Sequence, residues 1–290
     1  MRVFIIGLAL CTIIGACSKP ISHFRALGTD RTAPTTIDFE NLSKGADSYM
    51  WLIDSQPVSD SSSLSHIFLS SGRHTIELIS KSGSKESISK QDIFIEAPEQ
   101  CLVYMITNYG PLLLSLSDIT PGHRDNFSDL VESGFYNGIQ FHRVINGFMI
   151  QAGDEATNPP SQKIRHKAEI KEEINTDLFH YKGALAAARQ PDSVNPEKAS
   201  SGTQFYIVEG QTISQKSMDQ FANSKAFDYT KADIQRYIDE GGSPQLDGEY
   251  TVFGHLVEGY DTLDKISNVD TDRRDKPTDP VIIIKVTSIN

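Results

Sequence analysis

Short alternating runs of apolar and polar residues fill the chain between residues 34 and 97. Apolar residues two positions apart share one face of a strand. The residues that would do so are Tyr49, Trp51 and Ile53; Ile76 and Leu78; Ile93 and Ile95. Clusters of serine and glycine, such as Ser82-Gly83-Ser84, separate these runs. Several short strands at this spacing predict a small β-sandwich over residues 34–97.

From residue 98 onward the pattern predicts longer strands and two well-separated helices. Apolar runs at 102–107 and 112–116 flank a turn containing Asn, Gly and Pro, which indicates a β-hairpin. A helix should follow Thr120, whose side chain can cap it. A second helix is expected over 261–266, and the alternation at 281–289 predicts a final strand. The chain is therefore predicted to be mainly β, with domains at 34–97 and 98–290.

The N-terminus has the pattern of an export signal. An apolar run from residue 4 to 14 is shorter than the about twenty residues that span a bilayer, so a signal peptide is predicted over 1–16. Ile14-Gly15-Ala16-Cys17 resembles a bacterial lipobox. That resemblance implies cleavage before Cys17, lipid on Cys17, and a lipidated tether over 17–33. The alternative is an ordinary signal peptide with an incidental cysteine.

These features predict a lipoprotein of the bacterial cell envelope, with its domains in the periplasm or at the surface.

The chain is acidic: 38 Asp and Glu residues against 27 Lys and Arg residues give a net charge of −11. The excess argues against nucleic-acid binding and against electrostatic attachment to anionic lipid. Membrane contact is therefore expected through the lipid only. After processing, Cys101 would be the remaining thiol, predicted to be a buried small hydrophobe.

Cofactor chemistry is not indicated by the residue spacing. The eight histidines lack zinc-type spacing, and no glycine-rich phosphate loop precedes a helix. No metal and no cofactor are expected.

The segment 141–154 carries the clearest chemical signal. It combines Arg143 with large apolar side chains, an amide and glycines, without a nucleophile beside a base. Such a set suits binding and polarising a neutral apolar group. The segment resembles the signature of the cyclophilins, which are peptidyl-prolyl cis-trans isomerases. Residues 183–189, 202–207 and 246–254 are similar to three further segments of that family.

The resemblance covers essentially residues 100–290 and implies a fold and an activity. The implied fold is a closed antiparallel β-barrel capped by two helices. The implied reaction is rotation about Xaa-Pro bonds, whose barrier of about 20 kcal/mol comes from amide resonance. In the twisted state the proline nitrogen becomes pyramidal and can accept a hydrogen bond. A guanidinium that donates this bond binds the transition state selectively.

The motif match implies that Arg143 is this donor; the alternative is a structural arginine in a barrel salt bridge. The implied apolar socket for the proline ring is formed by Phe148, Met149, Tyr206, Leu246 and Tyr250. The implied contacts to the flanking peptide come from the side chains of Gln151 and Gln204 and from main-chain groups of Ala188 and Arg189.

Three of these positions depart from common family members. Tyr206 stands where many members have phenylalanine, Tyr250 where many have histidine, and Arg189 where asparagine is common. A tyrosine keeps the ring, so activity is expected to survive. Packing in the core is the alternative role for Gln204, Tyr206, Leu246 and Tyr250.

A further departure is an inserted stretch over residues 209–244. Ile234, Tyr237 and Ile238 follow helical spacing, and Gly241-Gly242 would end a helix. One or two helices are predicted here. They either border the site or cover the barrel exterior.

The order Tyr49-x-Trp51, His66-x-Phe68 and Gly72-x-x-Thr75 resembles a PKD-type repeat, an immunoglobulin-like module. The Gly-Asp-Gly usual after the tryptophan is absent. Trp51 is interpreted as a core residue, with a ligand platform as the alternative.

The predicted function is isomerisation of Xaa-Pro bonds in exported or envelope proteins, with proline-containing polypeptides as substrates. One alternative is a binding module that grips proline-containing segments with little turnover. The other is a surface lipoprotein whose N-terminal domain binds a glycan or a protein.

Overall fold

The computed structural model describes residues 19–158, 166–224 and 228–289. The chain divides into two compact units, Met1–Glu96 and Ala97–Asn290. The predicted signal peptide and Cys17 lie outside the described residues. None of the helices within the described ranges has both the length and the apolar character needed to span a bilayer.

The described part of the first unit, from residue 19 onward, contains seven strands in two antiparallel sheets. The strands are β1 Phe24–Ala26, β2 Thr35–Asn41, β3 Ser48–Ile53, β4 Gln56–Ser59, β5 Leu64–Phe68, β6 Gly72–Ser82 and β7 Lys85–Ile95. One sheet has the order β1-β2-β5 and the other β4-β3-β6-β7. The alternation seen in the sequence is confirmed, since Trp51, Ile76, Leu78 and Ile95 are fully buried.

Trp51 lies at the centre of the first unit's core. Its ring is 5.3 Å from that of Phe24 on β1 and 6.1 Å from that of Phe39 on β2. Its indole N–H donates to the carbonyl of Ser61 at 3.0 Å. A fully buried indole with its donor satisfied is a core residue, so the alternative of a ligand platform is wrong.

Part of the stretch predicted as a tether, residues 17–33, belongs to the folded first unit. Phe24–Ala26 forms β1 and pairs with Phe39–Asn41 of β2. Phe24 and Ala33 are buried. Because this stretch is mostly polar, its sequence did not indicate that Phe24 is buried in the core.

The second unit contains the remaining strands and all four described α-helices. The strands are β8 Leu102–Thr107, β9 Gly110–Leu116, β10 Arg143–Ile145, β11 Met149–Ala152, β12 Glu169–Ile170, β13 Ala184–Arg189, β14 Ser200–Val208, β15 Val252–Glu258 and β16 Ile283–Ile289. The helices are α1 Pro121–Glu132, α2 Gln215–Ser224, α3 Lys231–Glu240 and α4 Tyr260–Ser267.

The nine strands form one curled antiparallel sheet that is open. Its order is β10-β11-β14-β13-β15-β9-β8-β16, with β12 paired to β14. Within the described residues no ladder joins β10 to β16, so the predicted closed barrel must be corrected. The chain before β10 makes one isolated bridge, Gln140 to Ile282, and Phe141 N–H donates to Val281 at 2.9 Å. Gly138 adopts a left-handed conformation, with φ of +85°, and turns this segment. The segment therefore contacts β16 without forming a regular strand.

The concave face of the sheet holds the main core. Buried residues of every long strand meet there with Phe127 and Leu130 of α1 and with Leu263 and Ile266 of α4. Both helices predicted from the sequence are therefore confirmed, with the expected faces inward. Cys101 is only half-buried at the edge of this core, against the prediction of full burial.

The start of α1 is capped from outside its own sequence. The side chain of Thr120 makes no capping bond. Instead the carboxylate of Glu173 accepts from the main-chain N–H of Gly122 at 3.0 Å and of His123 at 2.9 Å, and from His123 Nδ1 at 2.6 Å. Burial raises the pKa of Glu173, but these hydrogen bonds outweigh it and hold that pKa below its usual value.

We expect Glu173→Ala to lower the free energy of unfolding by about 1.5–3 kcal/mol, because it removes a charged acceptor from three donors. The matched control is Glu172→Ala, one residue away. Because the folded pKa of Glu173 is depressed, its stabilisation is complete above the unfolded pKa. It is lost as the pH falls through the folded pKa, so the difference from wild type should shrink there. Denaturant unfolding measures both effects, and equal losses for the two variants would contradict the capping role.

The insertion forms the two helices α2 and α3. Thr230 caps α3 in a capping box with Asp233, and Gly241 ends it with φ of +85°. Tyr181, Met218 and Tyr237 are the buried centre of a satellite cluster, called here the insertion cluster. The half-buried members of that cluster are Phe179, Ile213, Phe221, Tyr229, Ile234 and Ile238.

Candidate functional site

A row of cross-strand neighbours builds the site on the face of the sheet opposite the main core. Arg143 on β10 is opposite Gln151 on β11, Gln151 is opposite Tyr206 on β14, and Tyr206 is opposite Ala186 on β13. Side chains directly opposite in a sheet point to the same side. Gln204 precedes Tyr206 by two residues and shares that face, where its Oε1 accepts from Gln151 Nε2 at 3.0 Å. The pleat itself therefore gathers side chains that are far apart in the sequence.

These residues surround a cavity of about 210 Å³. Its lining consists of Arg143, Phe148, Met149, Gln151, Ala188, Arg189, Tyr206, Leu246 and Tyr250. Nine of the ten residues predicted to act on substrate thus line one cavity. The tenth, Gln204, lines an adjoining cavity of about 290 Å³, which shares Gln151, Ala188 and Arg189 with the first.

Arg143 is held from the side away from the cavity. Its Nε lies 3.4 Å from a carboxylate oxygen of Asp275, whose main-chain carbonyl accepts from Val144 N–H at 2.8 Å. The side chain is 43% exposed. The two terminal nitrogens have no hydrogen-bond acceptor among the described residues, which leaves them available to a ligand.

The opposite wall of the cavity is apolar. Met149 and Tyr206 are buried in a small cluster with Val208 and Val252, and Phe148, Leu246 and Tyr250 pack on its edge. The rings of Tyr206 and Tyr250 meet edge to face at 6.0 Å. This wall offers ring and thioether surface opposite a guanidinium and an amide.

A register shift in the pairing of β13 with β14 falls between Ala187 and Arg189. Such bulges re-aim neighbouring side chains, which explains why the consecutive residues Ala188 and Arg189 both reach the cavity.

The side chain of Arg189 is 5% exposed, although only its main chain was expected to matter. Its Nε donates to the carbonyl of Glu249 at 2.8 Å, and the guanidinium lies 4.7 Å above the ring of Tyr250. Arg189 therefore holds Tyr250 in place.

Two residues behind the apolar wall were not singled out from the sequence. His180 Nε2 lies 3.0 Å from the hydroxyl of Tyr206, and His180 Nδ1 lies 2.9 Å from Asp247. Both are fully buried. Asp247 belongs to the family-like segment 246–254, and His180 lies three residues before the segment 183–189. A tyrosine at position 206 was the available signal, because a buried hydroxyl requires a partner.

Burial, assisted by neighbouring acidic and phenolic groups, raises the pKa of Tyr206 well above its usual value, so the hydroxyl keeps its proton. Across residues 19–158, 166–224 and 228–289, no three His, Cys, Asp or Glu side chains are gathered as a metal site would need.

Residues 102–288 match the protein-family model described as "Cyclophilin type peptidyl-prolyl cis-trans isomerase/CLD". A putative peptidyl-prolyl cis-trans isomerase of Staphylococcus epidermidis is 34% identical over 182 residues, covering 62% of this chain and 88% of that protein. One from Staphylococcus saprophyticus is 33% identical over 180 residues, covering 62% and 87%. A crystal structure of a Cryptosporidium parvum cyclophilin-type isomerase shares 28% identity, covers 65% of this chain and 97% of that one, and gives a TM-score of 0.49.

Proposed function

The chain belongs to the cyclophilin-type peptidyl-prolyl cis-trans isomerases, and from this premise we propose that it isomerises Xaa-Pro bonds of exported or envelope polypeptides and so assists their folding. The observation that carries the proposal is one cavity lined by Arg143 and by the apolar wall. No cofactor takes part.

The roles follow from what each side chain offers. The proline ring packs against Phe148, Met149, Tyr206, Leu246 and Tyr250. Arg143 donates to the proline nitrogen, which accepts a hydrogen bond only when the amide is twisted. Stabilisation is thus greater in the transition state than in either planar isomer, which is the condition for catalysis.

The flanking peptide must stay fixed while one side rotates. Gln151 and Gln204 are bonded to each other at 3.0 Å, which orients the pair along the groove between the two cavities. Their remaining amide groups bind the peptide main chain, together with the main chain of Ala188 and Arg189. This division leaves the residue on the other side of the bond free to turn.

A protease-coupled assay on a tetrapeptide with one Ala-Pro bond tests the function. The full-length chain should shorten the slow phase that reflects uncatalysed isomerisation, which takes tens of seconds. Binding of the peptide without any change of the slow phase would support the alternative of a proline-peptide-binding module and would overturn the enzyme.

We further propose that the first unit is an immunoglobulin-like β-sandwich of PKD type that serves as a spacer or a protein-contact module. Ring contacts between its two sheets, centred on Trp51, support the sandwich. The full burial of Trp51 favours a core role for this side chain over a ligand platform.

The lipobox-like segment supports a lipid anchor on Cys17 in the bacterial cell envelope. We expect Cys17→Ser to abolish membrane attachment, because serine cannot form the thioether to lipid. Cell fractionation should find the variant soluble or unprocessed, whereas the matched Cys101→Ser variant should sediment with membranes like wild type. A processed Cys17→Ser protein that remained in the membrane fraction would overturn the anchor.

A further inference from the structure

The inserted helices are linked to the apolar wall of the cavity by a continuous chain of buried hydrogen bonds. The hydroxyls of Tyr229, just before α3, and of Tyr237, on α3, each donate to Asp247 Oδ2 at 2.7 Å. Asp247 Oδ1 accepts from the main-chain N–H of His180 at 2.8 Å and lies 2.9 Å from its Nδ1. His180 Nε2 then meets the hydroxyl of Tyr206 at 3.0 Å. We call this series the buried chain.

The donor direction along the buried chain follows from the groups themselves. Among the described residues the hydroxyl of Tyr206 has no acceptor other than His180 Nε2, so it donates to that nitrogen. The other ring nitrogen, Nδ1, then donates to Asp247. The imidazole of His180 and the ring of Tyr206 lie nearly parallel, with an angle of 13° between their planes. Every link is therefore satisfied, which is the condition under which a buried polar network makes a core rigid.

The base of the insertion holds a second residue of the cavity. The main-chain N–H groups of Glu209 and Gly210 both donate to the carbonyl of Phe148, at 3.0 and 3.1 Å. The carboxylate of Glu209 accepts from Gly147 N–H. The insertion thus touches the cavity lining at two points, Phe148 by main chain and Tyr206 through the buried chain. Helices that merely covered the exterior would need neither contact.

We propose that the insertion positions the proline socket, with Asp247 and His180 as positioning residues that fix the ring of Tyr206. This inference rests on the isomerase function proposed above and assigns a role to the insertion in that function. Under this proposal the inserted helices support the site from behind the apolar wall, in addition to covering the exterior of the sheet.

Two tyrosines of the insertion cluster provide a matched pair for the test. Tyr237 donates to Asp247, whereas Tyr181 donates to Asp233 on α3 at 2.8 Å. Tyr237→Phe and Tyr181→Phe each remove one hydroxyl from a buried ring of the same cluster. We expect Tyr237→Phe to lower kcat/KM for the Ala-Pro tetrapeptide roughly fivefold, the scale of one hydrogen bond, and Tyr181→Phe to change it less than about twofold.

A double-mutant cycle separates positioning from general destabilisation. Tyr206→Phe removes the last hydroxyl of the buried chain. If the insertion acts through that hydroxyl, Tyr237→Phe should cost little further activity in a Tyr206→Phe background. Thermal unfolding of all variants checks that losses in kcat/KM do not follow losses in stability.

The outcomes are distinct. A fall in kcat/KM for Tyr237→Phe but not for Tyr181→Phe, absorbed by Tyr206→Phe, supports the inference. Equal effects of the two substitutions, or additive effects in the cycle, overturn it while the isomerase function stands. Absence of turnover in the wild-type full chain overturns the proposed function and with it this inference.

Discussion

Arg143→Ala should reduce isomerase efficiency by roughly 10- to 100-fold, the scale of a charged hydrogen bond of about 1.5–3 kcal/mol made only in the transition state. The terminal nitrogens of Arg143 are the donors concerned, because Nε is turned towards Asp275. Binding of a proline-containing peptide should weaken much less than kcat falls, since the planar amide nitrogen is a poor acceptor.

Folding should be little affected by this change, because the Arg143 side chain and its partner Asp275 are both 43% exposed. Arg143→Lys should recover only part of the activity, since a lysine keeps the charge but not the rigid fork. Arg124→Ala is the matched control: it removes an arginine of α1 whose partners, Asp118 and Asp125, are exposed. Unchanged kcat/KM in a folded Arg143→Ala protein would leave the donor role without support.

The cavity lining was predictable because strand periodicity and motif spacing operate over short distances. Arg143, Met149 and Gln151 lie within one hairpin, and the position of one fixes the face of the others. Tyr206 and Ala188 lie on other strands, and they were assigned to the site from the family resemblance of the segments 202–207 and 183–189. The structure brings nine predicted residues to one cavity, and their individual roles stay predictions.

The buried chain was not predictable by the same means. His180 and Asp247 are 67 residues apart, and Tyr206 lies 26 residues from His180. No periodicity connects such positions; only the folded sheet does. The cap of α1 by Glu173 is the same case, because the sequence favoured Thr120 as the cap and a carboxylate 50 residues from His123 takes that role.

The open sheet has a related cause. Alternation along 281–289 correctly predicted a strand and its buried face. Whether that strand pairs with β10 and closes the sheet depends on how the chain around Gly138 turns before β10 begins. The alternation of buried and exposed positions carries no information about that turn.

Asp247→Ala should lower the free energy of unfolding by about 3–5 kcal/mol. It removes the carboxylate that accepts hydrogen bonds from His180, Tyr229 and Tyr237. The three donors then lose that acceptor. Asp264→Ala removes a half-exposed aspartate paired with Lys182 and should cost less than about 1 kcal/mol. Denaturant unfolding of the two variants compares a buried carboxylate with a surface one on the same fold.

Asp247→Asn should lie between these limits, because the amide oxygen still accepts from one set of donors while a tyrosine hydroxyl can accept from the amide N–H. The order Asp264→Ala, Asp247→Asn, Asp247→Ala in increasing loss of stability is therefore the expected result. Were Asp247→Ala no worse than Asp264→Ala, the carboxylate would not organise the core behind the socket. Tyr206 would then depend on packing against Tyr250 and Met149 alone.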